Sequence, residues 1–111
     1  MNTLTLISGD TWKRAWILKV GAVPVNLTGA SARLHVRDER TDDLVASAST
    51  TTAGLTLAAA EGRLDLRIEG ADMKLDHKKT YVFDCELTEA DGTITTLEQG
   101  RIKIKQDFTR D

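Results

Sequence analysis

Hydrophobic and polar positions alternate along most of this chain. In residues 30–38, Ala30, Ala32, Leu34 and Val36 fall on one side and Ser31, Arg33, His35 and Arg37 on the other. Residues 63–69 repeat the pattern, with Leu64, Leu66 and Ile68 opposed to Arg63, Asp65, Arg67 and Glu69. In residues 81–87, Tyr81, Phe83, Cys85 and Leu87 alternate with Val82, Asp84 and Glu86. Trp12, Trp16, Leu18 and Val20 share a face against Thr11, Lys13 and Lys19, and Arg14 and Ile17 break that alternation. A period of two sends successive side chains to opposite faces of a strand, so the pattern predicts antiparallel sheet with one face in a core and one in water. The candidate core is Trp12, Trp16, Leu34, Val36, Leu66, Ile68, Tyr81, Phe83 and Cys85.

Turn signals punctuate these runs: Ser8-Gly9-Asp10, Gly21 to Pro24, Asn26 to Gly29, Thr41 to Asp43, Ala53-Gly54, Glu61-Gly62 and Asp91-Gly92. Asp91-Gly92 is the strongest hairpin signal, because a tight primed turn needs the positive φ that glycine supplies. The result is seven or eight strands, near 3–7, 11–20, 30–38, 44–50, 55–58, 63–69, 80–88 and 93–105. Their spacing predicts a β-sandwich or small barrel. Residues 70–79 are too short and too sparsely apolar for more than one helical turn, near 71–77. Fifteen threonines suit a pleated, half-exposed surface. Residues 1–105 form one domain, and 106–111 a polar tail carrying Phe108.

Composition narrows the function. The 111 residues are enough for one core, and 15 basic against 17 acidic side chains leave no electrostatic footprint for nucleic acid. No apolar run approaches the ~20 residues that span a bilayer. The start lacks a signal-peptide pattern and Cys85 has no partner cysteine, which points to a reducing cytoplasm. His35, His77 and Cys85 show no metal-ligand spacing, so no metal or cofactor is expected. Ser8 lies outside any nucleophile-elbow motif, and Asp84 and Glu86 share an exposed face, so no catalytic or small-molecule site is predicted. Trp12 and Trp16, four residues apart on one face, would stack on a sugar if that face were open; packing in the core is the stronger reading. Asn26-Leu27-Thr28 matches a glycosylation sequon but, with no signal peptide, reads as a turn. Short strands with polar outer faces and free edges favour a protein-interaction module over an enzyme.

The order of short motifs adds a resemblance. Ser8-Gly9-Asp10-Thr11-Trp12 is followed by Val23-Pro24-Val25-Asn26-Leu27-Thr28-Gly29-Ala30 and by a strand ending Val36-Arg37-Asp38. Then come Tyr81-Val82-Phe83-Asp84-Cys85-Glu86-Leu87, Asp91-Gly92, Gly100-Arg101-Ile102 and Phe108-Thr109-Arg110. This series resembles small tailed-bacteriophage proteins related to the N-terminal β-sandwich of baseplate upper proteins. Asn26 stands where those proteins usually carry Asp, and Lys78-Lys79-Thr80 replaces their Pro-Gly corner. The resemblance implies an immunoglobulin-like sandwich in a virion, built into tail, baseplate or head-associated assemblies in the host cytoplasm. It also implies contacts with other virion proteins and with copies of itself. On that reading Asp42, Asp91, Phe108 and Arg110 are the candidate contact residues, with the loop at Ala53 beside them.

Overall fold

A computed structural model describes residues 2–109. It contains ten strands: β1 (Asn2–Ile7), β2 (Trp12–Ile17), β3 (Lys19–Val20), β4 (Val23–Pro24), β5 (Ser31–Asp38), β6 (Leu44–Ser49), β7 (Leu55–Ala58), β8 (Arg63–Ile68), β9 (Thr80–Thr88) and β10 (Ile94–Lys105). One sheet has the order β1-β10-β9-β5-β6 and a second the order β2-β8-β7, while β3 and β4 form a separate hairpin. Eight of the ten match the predicted strands within a few residues, because each alternating run buries alternate side chains. The burial of β9 alternates along its whole length, with Tyr81, Phe83, Cys85 and Leu87 all inside.

Two features depart from the expected architecture. The sheet is not antiparallel throughout: β1 runs parallel to β10, from Asn2 beside Gly100 to Ile7 beside Lys105. The turn after β1 carries the chain across to the other sheet, so β1 never forms a hairpin with β2. The single helical turn expected near 71–77 is a 3-10 turn confined to Gly70–Asp72, and a second one lies at Ala59–Glu61.

The sheets face each other over one core. Leu34, Val36, Leu64, Leu66, Ile68, Ile102 and Ile104 pack with the inward side chains of β9. Trp12 meets Phe83 across the gap, edge to face, with ring centroids 5.2 Å apart at 83°. Gly100 permits this packing, since a Cβ there would lie 2.4 Å from the Phe83 ring. Trp16 is half-buried against the core. Val20 is not on the inner face: β2 ends at Ile17, and Val20 is 75% exposed on the β3–β4 hairpin opposite Val23. The pattern fails there because the Leu18 N–H donates to the Gly62 carbonyl and the Val25 N–H to the Leu18 carbonyl, bending the chain away from the sheet. Gly62 holds that bend with φ +62°, and a Cβ would come within 2.5 Å of the Leu18 oxygen.

Candidate functional site

Arg14, which interrupts the alternation of β2, turns inward to pair with Glu98. Both its Nε and Nη2 donate to the Glu98 carboxylate, and the Trp16 indole N–H donates to Glu98 Oε1 at 3.0 Å. Glu98 sits where the β10 register slips between Thr96 and Glu98, a bulge that aims its carboxylate across the gap between the sheets. The Arg14 hydrogen bond holds the Glu98 carboxyl below its usual range, assisted by Trp16 and opposed by burial. The same bond raises the Arg14 pKa. This is a structural clamp, with each group committed to the others. It also bears on sugar stacking, since Trp12 is 5% exposed and the Trp16 N–H is taken by Glu98.

Cys85 is fully buried and its thiol is pushed up to about 12, first by burial and then by Asp84, Glu98 and Glu86. A thiol held protonated is a poor nucleophile. Asp38, at the end of β5, is buried and organises the next loop. Its Oδ1 accepts the backbone N–H groups of Arg40 (2.8 Å) and Thr41 (3.3 Å), and Lys79 Nζ lies 3.5 Å from Oδ2. The Arg40 N–H is the main cause of its lowered pKa. Among the described residues, no three His, Cys, Asp or Glu side chains converge as a metal-ligand set.

The contact candidates divide between the two ends of the sandwich. Asp42 lies in the β5–β6 loop with φ 64°, a left-handed conformation that aspartate tolerates, and Arg37 Nη1 donates to its carbonyl at 2.9 Å. Phe108 follows the end of β10, which is the same end of the sheet, and is 83% exposed. Asp91 is at the opposite end, where its Oδ1 accepts the Thr93 N–H at 2.9 Å and its pKa is lowered chiefly by that bond. Both aspartates therefore shape turns. Arg110 lies outside the described residues. The Ala53 loop closes against β6, with the Ser49 N–H donating to the Ala53 carbonyl.

The Asp91 end also exposes large apolar side chains, though not as one patch. By strand alternation Ile17 faces outward from the smaller sheet and Ile94, opposite Thr88, outward from the larger one, and only Val20 and Val23 are paired. Ile17, Val20, Val23 and Ile94 are 55, 75, 66 and 62% exposed. Three of them belong to the tip of β2 and the hairpin beyond it. Gly21-Ala22 marks the turn in the sequence, but the exposure of the two valines flanking it is set by the bend at Leu18 and Gly62, which carries the hairpin away from the sheet.

No protein-family model matches the chain, and no curated protein matches it in sequence. Among solved structures it is similar to a chicken TCR, with a TM-score of 0.57 and 11% identity over 99% of this chain and 56% of that one. The chain thus spans about half the length of that structure. The likeness is one of fold, and the fold is an immunoglobulin-like β-sandwich. Two details follow that architecture. The Tyr81 hydroxyl, at the start of β9, accepts the Asp76 N–H at 3.0 Å, forming a tyrosine corner. Phe83, two residues on, occupies the place that antibody domains give to the second cysteine of their inter-sheet disulfide. Its contact with Trp12 ties the sheets together by aromatic packing.

Proposed function

We propose that this chain is a non-enzymatic structural component of a bacteriophage virion, part of a tail, baseplate or head-associated assembly. It acts through contacts with other virion proteins and with copies of itself, and it is made and assembled in the bacterial host cytoplasm. The observation that carries the contact reading is the exposure of large apolar side chains at both ends of a rigid sandwich: Ile17, Val20, Val23 and Ile94 at one, Phe108 at the other. Val20 and Val23 stand opposite one another on the β3–β4 hairpin, and adjoining exposed apolar side chains mark contact surfaces more often than scattered ones do. The motif order from Ser8-Gly9-Asp10 to Phe108-Thr109-Arg110 supports the virion setting. Sugar binding is less well supported, because Trp12 is buried and Trp16 is fastened to Glu98.

Immunogold electron microscopy of purified particles, with antibody against this chain, tests the proposal. Label at one defined place on a phage-like particle is the expected result. A chain found only in the soluble fraction, with unlabelled particles, refutes it. Removal of residues 106–111 is expected to weaken incorporation while leaving the fold and its thermal transition intact.

A further inference from the structure

The five-stranded sheet ends in an edge that lacks the usual protection against pairing. Among the described residues, no strand apart from β10 pairs with β1. Residues Asn2 to Gly9 carry no charge and no proline, and β1 pairs with β10 without a bulge over all six of its residues. Natural edge strands are normally blunted by lysine, proline, bulges or brevity. The other edges of this molecule show such devices. In β6 the register slips at Val45, between Val36 and Arg37 of β5, and Asp42 and Asp43 precede the strand. In the smaller sheet, β2 carries Lys13 and Arg14, and β7 has only four residues.

We infer that β1 is a self-association seam, pairing antiparallel with β1 of a second copy about a two-fold axis at Thr5. Residues directly opposite one another in an antiparallel pair share a face, so a two-fold axis perpendicular to the sheet sets one residue against its own copy. With Thr5 at the centre, Leu4 faces Leu6 of the other copy and Thr3 faces Ile7. Leu4 and Leu6 already pack against the core as half-buried side chains, so this register continues the apolar inner stripe across the seam. Centring on Leu4 instead sets Asn2 against Leu6. The Thr5 pair is itself a favourable cross-strand match.

Charge also admits a second copy. The outward Arg101, Lys103 and Lys105 of β10 lie one strand in from the edge. Across the seam the two β10 strands are three strand spacings apart, about 14 Å, beyond the ~8 Å screening length at physiological salt. The seam deepens the assembly reading by naming one self-contact, and it rests on that reading only for its biological setting.

The full chain tests it. Sedimentation velocity should show a dimer that dissociates on dilution, and Thr5→Lys, which sets lysine against lysine on an exposed position, should leave only monomer with an unchanged circular dichroism spectrum. Under mild oxidation with oxidised glutathione, Thr5→Cys should cross-link at least about tenfold faster than Thr3→Cys. In this register the two copies of residue 3 stand four residues apart, about 13 Å, and Cα atoms more than about 7 Å apart cannot be bridged. Buried Cys85 does not compete. A monomeric wild type, or equal cross-linking at positions 3 and 5, overturns the seam. A dimer untouched by Thr5→Lys also overturns it, yet leaves self-association through another surface standing. Absence from particles refutes the virion reading alone.

Discussion

If Trp12 and Phe83 tie the two sheets together, removing the tryptophan should cost far more than an ordinary surface change. Trp12 is 5% exposed, and its ring stands at 83° to Phe83 with centroids 5.2 Å apart, the edge-to-face arrangement favoured by aromatic quadrupoles. Trp12→Ala deletes the whole indole from a site walled by β8 and β9, and large-to-small changes of this kind cost about 3–5 kcal/mol. A domain of this size has about 5–15 kcal/mol in total. At about 4 °C per kcal/mol the melting temperature should fall by about 12–20 °C. Urea denaturation followed by far-ultraviolet circular dichroism, independent of the lost fluorophore, measures the change. Adding Phe83→Leu closes a double-mutant cycle, where a coupling of about 0.5–1.5 kcal/mol is expected for the ring pair. A loss below about 1 kcal/mol for Trp12→Ala, or no coupling, would falsify the claim that this pair bridges the sheets.

Glu98 has a depressed pKa in the fold, so its contribution to stability is present above the unfolded carboxylate value and is lost as pH falls through the folded one. Glu98→Gln should flatten the acid limb of a stability–pH curve; a limb of unchanged slope counts against the Arg14–Glu98–Trp16 clamp. Native Cys85, with a thiol pKa of about 12, should react with a disulfide reagent at pH 8 at least a hundredfold slower than in urea, since its thiolate fraction is about 10⁻⁴ against about a quarter for an ordinary thiol. Equal rates would show that the β9 core is open. Gly100→Ala places a methyl 2.4 Å from the Phe83 ring and should cost about 1–3 kcal/mol; an unchanged urea midpoint would mean that the ring moves freely.

The period-two runs of β5, β8 and β9 determined by themselves which side chains enter the core, because alternation has one solution once one face is buried. Asp91-Gly92 and the other turn signals determined where the strands stop, for equally local reasons. Contacts between distant segments were outside that reach. Arg14 and Glu98 are 84 positions apart, so only the closing of the two sheets explains why a charge belongs on an inward face of β2. Pairing within the larger sheet decides that Asp38 is buried, since its partner Lys79 and the loop it caps converge only when β5 and β9 pair. Val20 alternates correctly yet ends in water, because Gly62 diverts the chain after Leu18. The open edge of β1 is likewise a tertiary fact: an uncharged strand is legible in the letters, but whether a neighbour covers it depends on where the sheet ends.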